Sequence, residues 1–114
     1  MTLTQKHCLP CEGIGAVLTE AEALEFLKQT PDWEISPNKR IIFRQLSLKN
    51  FMSAVKLINA IATIAEAENH HPDLHLSNYR HLQITLSTHA LKGLTENDFI
   101  VAAKINELPL ELKA

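Results

Sequence analysis

The sequence predicts an α+β fold ordered α-β-β-α-β-β-α, with a four-stranded antiparallel sheet and three helices packed on one face. Three observations lead there. Two pairs of short β-type segments are each joined by a tight turn, which makes hairpins rather than crossovers. Three segments of helical periodicity flank those hairpins. The strands alternate apolar and polar residues, so only one face of the sheet needs cover.

The chain has 114 residues, 46% of them apolar, which suits one domain with one core. Its net charge of -2 argues against a broad basic surface, so nucleic acid is not an expected partner. No run approaches the roughly 18 apolar residues of a membrane span, and Met1 to Cys11 lack the apolar stretch of a signal peptide. The expected compartment is therefore the cytoplasm, with no membrane partner. Residues 1–17 read as an irregular arm broken by Pro10, Gly13 and Gly15, and residues 18–114 as a single domain. Cys8 and Cys11 form one C-x-x-C. With only His7 as a third ligand it is no closed zinc site, and no βαβ pattern accompanies it for redox work. Ordinary reduced thiols on a mobile arm are the simplest reading.

Thr19 caps the first helix, with Glu22 in capping-box position. The helix runs to about Gln29, burying Leu24 and Leu27, and stops before Thr30-Pro31. Trp33–Ile35 and Arg40–Leu48 form a hairpin about Pro37-Asn38. Ile41 and Phe43 share one parity, Leu46 and Leu48 the other, so a β-bulge is expected near Arg44-Gln45. The longest helix spans 49–69. Phe51, Val55, Ile58, Ala62 and Ala65 form one apolar stripe, and Ala54, Leu57, Ile61 and Ile64 a second. Together they cover roughly half the circumference, more than one sheet requires, and suggest contact with another subunit. Asp73–Tyr79 and His81–Thr88 are the last strands: Leu74 and Leu76 point inward, His75, Ser77 and Tyr79 outward, and Leu82, Ile84 and Leu86 alternate with polar residues. Thr95 caps the final helix, with Asp98 in capping-box position and Phe99 and Ala103 inward.

The chemistry concentrates at Glu68-Asn-His-His-Pro-Asp73. Pro72 disfavours helical geometry before it, so the long helix ends near His70 or His71. Glu66 stands four residues before His70, the spacing of helical neighbours. His89 lies at the end of the last strand, before a loop containing Gly93. If the strand after Pro72 pairs with that strand, His89 approaches the helix end, and three imidazoles could serve as acid, base and binding donor.

Glu66-x-x-x-His70-His71-Pro72, followed by Tyr79, His89 and Asp98, resembles the pterin-4a-carbinolamine dehydratase family in every element. The resemblance extends from about Thr19 to Leu108 and includes Trp33, Ile42-Phe43-Arg44-Gln45, Ile84-Thr85-Leu86-Ser87-Thr88-His89 and Gly93-Leu94-Thr95. It implies the same α+β architecture, and a homodimer or homotetramer built through the long helix and sheet edges. It implies dehydration of a 4a-hydroxytetrahydropterin, with no metal and no cofactor beyond the pterin substrate. It assigns proton transfer to His70 and His89, without saying which is the acid. His71 would bind and orient the substrate, Glu66 would tune this group, and the backbone of Ser87 and Thr88 would meet the flat ring. Pro72, Tyr79 and Asp98 are motif positions; the residues themselves read Asp98 as a helix cap and Tyr79 as sheet packing. His75 departs from the aromatic residue of many animal members. His81 reads as a solvated strand residue. Some family members also stabilise transcription-factor dimers, so a non-enzymatic pterin-binding or dimerisation module is the alternative. A metal enzyme using His70 or His71 with His75 and His89 is a weaker one.

Overall fold

A computed structural model describes residues 2–10 and 16–113. Cys11, Gly13 and Gly15 lie outside them. The elements are α1 (Glu20–Leu27), β1 (Glu34–Ile35), β2 (Ile42–Ser47), α2 (Phe51–Glu68), β3 (Asp73–Ser77), β4 (His81–Leu86) and α3 (Glu96–Asn106), with 3₁₀ turns at Leu3–Gln5 and His89–Leu91. This is the expected α-β-β-α-β-β-α order. The four strands are antiparallel in the order β1-β2-β4-β3.

One face of this sheet is the core. Ile42, Leu46, Leu82, Ile84 and Leu86 pack with Ala54, Leu57 and Ile61 of α2, and with Phe99, Val101 and Ile105 of α3. Along α3, eight residues are buried, so this helix is the centre of the molecule. Thr19 caps α1 as expected: Glu22 N–H donates to Thr19 Oγ1 at 3.2 Å and Thr19 N–H to Glu22 Oε1 at 2.9 Å. The buried residue of α1 is Ala23, however. Leu24 is 40% exposed and Leu27 is half-buried, because this short helix touches the core along a narrow line.

The expected bulge is absent. β2 pairs with β4 without interruption from Ile42↔Leu86 to Ser47↔His81. The parity conflict resolves through Arg44, which shares the core face with Ile42, Leu46 and Leu48. Its guanidinium donates to Asn106 Oδ1 at 2.6 Å and lies 3.6 Å from Asp32. A satisfied charge occupies a core position there, and Ile41 and Phe43 stay half-buried on the other side.

β3 ends at Ser77, two residues earlier than expected. The connection is the three residues Asn78–Arg80 between the paired Ser77 and His81, and Asn78 and Tyr79 both have positive φ, 48° and 55°. Tyr79 is therefore an exposed turn residue with Arg80 over its ring at 5.3 Å, not a sheet-packing residue. His81 is not simply solvated either: Ser47 Oγ lies 2.8 Å from its Nδ1.

Candidate active site

Helix α2 ends at Glu68, and Asn69 takes the left-handed conformation (φ 51°, ψ 42°) as its C-cap. Asparagine tolerates this region better than most residues. The reversal turns the two histidines apart. His70 is buried (8% exposed), and its Nε2 lies 2.7 Å from Asp98 Oδ1. His71 is exposed, with Nε2 2.6 Å from Glu66 Oε2. The expected Glu66–His70 pair is thus replaced by Glu66–His71, and the carboxylate for His70 comes from the first turn of α3.

Asp98 is fully buried and has three partners. Thr95 N–H and the Thr88 hydroxyl both donate to its Oδ2 at 2.9 Å, and His70 meets its Oδ1. Asp98 therefore supplies its half of the expected helix cap and also anchors a histidine. Thr88 Oγ1 also lies 2.8 Å from Thr95 Oγ1. Thr88 has one hydroxyl proton, used on Asp98, so Thr95 must donate to Thr88. An ionised carboxylate only accepts, so His70 Nε2 carries the proton and Nδ1 keeps a free lone pair when the ring is neutral.

β3 pairs with β4, meeting the condition set for His89. His89 opens the 3₁₀ turn after β4, with Nε2 4.0 Å from Asp73 Oδ2 and its side chain 71% exposed. Asp73 follows Pro72 directly, so His89 comes to the chain segment that carries His70 and His71. The Thr88 amide donates to Gly93 O at 2.8 Å, and its carbonyl accepts from Leu91 at 3.0 Å. Thr88 thus contributes its hydroxyl to the site, while its backbone is engaged within the loop. Ser87 beside it is half-buried. Gly93 approaches Val17 closely: a Cβ there would meet Val17 Cγ1 at 2.9 Å, so a side chain at this position would require the exposed Val17 to shift. Tyr79 lies at the other end of β3, roughly 20 Å from Asp73 at the rise of a strand. His75 points to the outer sheet face, where it lines a cavity of about 520 Å³ with Gln45, His81 and Gln83. Among the described residues, no group of three or more His, Cys, Asp or Glu side chains stands close enough to hold a metal ion.

One buried acid escaped the sequence reading. Glu68 accepts from Lys104 Nζ at 2.8 Å and from the Cys8 amide at 2.7 Å, and lies 2.9 Å from His7 Nδ1. Burial alone would raise its pKa, but the bonds from Lys104, Cys8 and His7 hold it down at about 2. The Cys8 thiol is pushed up to about 12, first by burial and then by the Glu68 charge, so it is no reactive thiolate. A signal existed: Ala54, Leu57, Ile61 and Ala65 continue at helical spacing to Glu68, a charge on the buried stripe.

The fold and these contacts define a class of protein: an α+β domain with a buried histidine–aspartate pair beside two exposed histidines. Residues 16–108 match the family described as Pterin 4 alpha carbinolamine dehydratase, and the chain belongs to that family. It is 40% identical over 112 residues to "Pterin-4-alpha-carbinolamine dehydratase 2, mitochondrial" of Arabidopsis thaliana, covering 96% of this chain and 60% of that protein. A Legionella pneumophila protein (strain Corby), which bears the dehydratase name provisionally, is 50% identical over 107 residues, covering 93% of this chain and 94% of its own. Among solved structures, a "transcriptional coactivator/pterin dehydratase" from Brucella melitensis superposes with a TM-score of 0.74 at 33% identity, covering 79% of this chain and 95% of that one.

Proposed function

We propose that this protein dehydrates 4a-hydroxytetrahydrobiopterin to quinonoid dihydropterin and water by histidine acid–base catalysis without a metal, and so supports tetrahydropterin recycling. The observation that carries this reading is the buried His70–Asp98 pair. Asp98 holds the ring with Nε2–H inward, and Nδ1 is the base that takes the proton from ring nitrogen N5. The N5–H electron pair forms the N5–C4a double bond as the C4a–O bond breaks. The departing hydroxide takes a proton from His89 and leaves as water. His89, exposed on its turn beside Asp73, can reach the outer side of a bound substrate. His71, braced by Glu66, binds and orients the pterin. The Ser87–Thr88 segment borders the ring, and the left-handed Asn69 cap sets the break that aims both histidines, with Pro72 keeping the chain extended after them.

The same reading makes the protein a homo-oligomer. Phe51 and Met52 are 51% and 73% exposed on α2, and Val55 and Ile58 are half-buried beside them, an apolar face suited to a second copy. That face also favours a second reading, a protein-dimerisation module without catalysis, which the description of the similar Brucella protein as a transcriptional coactivator/pterin dehydratase makes worth testing. Among the described residues, no helix is long and apolar enough to cross a membrane.

The test is the dehydration rate of freshly generated 4a-hydroxytetrahydrobiopterin in EDTA, for wild type and the His70→Ala/His89→Ala double variant. Acceleration by wild type that disappears in a folded double variant supports the mechanism. A rate equal to the spontaneous one for wild type rejects it in favour of the binding module.

A further inference from the structure

The N-terminal arm grips both helices that form the histidine–aspartate pair. From one side, the Cys8 amide and His7 bond Glu68, the last residue of α2. From the other, Leu9 N–H donates to Asn97 Oδ1 at 3.0 Å and Asn97 Nδ2 to Leu9 O at 2.7 Å, a two-point amide clasp. Lys6 pairs with Glu96 at 2.6 Å. Glu96 and Asn97 immediately precede Asp98, and Glu68 precedes His70 by two residues. Besides the direct Glu68–Lys104 ion pair at 2.8 Å farther along α3, two bridges therefore span the gap between the end of α2 and the start of α3. One is the direct His70–Asp98 contact, and the other runs Glu68–arm–Asn97.

General packing does not explain this arrangement. Glu68 is a carboxylate, 3% exposed in its side chain, at a helix C-terminus where the macrodipole disfavours negative charge. A leucine would continue the apolar stripe but leave the Lys104 ammonium, 16% exposed, without its partner. The arm also borders a cavity of about 510 Å³, lined by Lys6, His7, Leu9, Glu96 and Asn97 among others, so one side of it is loosely packed. Polar clasps, two of them on buried side chains, hold it in register.

We infer that Glu68 is a positioning residue for His70: through the arm it fixes the spacing of α2 and α3, and with it the distance and orientation of the His70–Asp98 contact. The inference rests on the proposed role of His70 as base. If the bridge loosens, the error passes to a bond of 2.7 Å, because Asn69 alone separates Glu68 from His70. A small misplacement of a catalytic group lowers turnover more than affinity.

The experiment compares full-length wild type, Glu68→Gln, Glu68→Ala and Asn97→Ala by dehydration kinetics, and by NMR of the His70 imidazole and the Cys8 amide. Gln keeps an oxygen for the Cys8 amide and should be the mildest. Glu68→Ala should lower kcat roughly 10-fold with KM within about twofold, shift the Cys8 amide proton upfield, and shift or broaden the His70 Nε2 proton. Asn97→Ala opens the opposite end of the bridge and should give the same signature, so the test stands if Glu68→Ala does not fold. Folded variants with a displaced Cys8 amide but unchanged His70 signal and kcat overturn the inference. If wild type itself shows no dehydration, the functional reading fails, and the His70 signal alone decides whether Glu68 positions the ring.

Discussion

At the scale of single residues, Asp98 is the most sensitive position. Asparagine in its place keeps the size but offers an amide donor, which can hold His70 Nε2 as an acceptor and put the proton on Nδ1. We expect Asp98→Asn to lower kcat by about 10²-fold or more and to weaken the fold by roughly 1 kcal/mol, since the bonds from Thr88 and Thr95 then go to a neutral amide oxygen instead of a carboxylate. Turnover and urea midpoints on one preparation check both. His71 lies outside the buried network, so His71→Ala should raise KM and leave kcat within a few-fold, with stability within about 0.5 kcal/mol. The spacing of His70, His71, His89 and Asp98 was legible in the sequence, but their pairing was not. The i,i+4 relation of Glu66 to His70 applies only while both residues are helical. Asn69 ends the helix one residue too soon, and His70 turns to a carboxylate distant in sequence.

Single elements were legible wherever one period ruled. The capping box of α1 and the alternation of β4 both read directly. β2 misled because a charged residue occupies its inner face, and alternation alone gives no hint that Asn106 waits on α3 to receive it. The docking of the N-terminal arm was equally hidden, because it depends on polar bonds to residues far along the chain. That docking should respond to acid. Glu68 has a folded pKa of about 2 against an ordinary 4.5, so its stabilising contribution is complete above about pH 4.5 and lost as pH falls toward 2. The wild-type advantage over Glu68→Gln in urea midpoint should shrink across that window; an advantage independent of pH would show that charge on Glu68 is irrelevant. The raised pKa of Cys8 predicts slow alkylation at neutral pH, accelerated in Glu68→Ala, with peptide mapping to separate it from Cys11.

For the whole molecule, the apolar flank of α2 is the feature that asks for a partner. A charged residue at its centre, Val55→Glu, should lower the mass seen by analytical ultracentrifugation and leave the helix content unchanged. The sequence indicated this flank because two stripes exceed what one sheet can cover, but the number of subunits depends on surface shape that periodicity does not encode. Every such variant needs a reporter of the intact protomer, and the chain carries one. Its single tryptophan, Trp33, is 4% exposed and donates its indole N–H to Asn106 at 2.9 Å. Asn106 closes the same helix whose first turn holds Asp98. Light emitted by this one indole therefore reports whether the far end of that helix is seated. A blue-shifted spectrum that moves to the red on denaturation separates an enzyme that has lost its chemistry from one that has lost its shape.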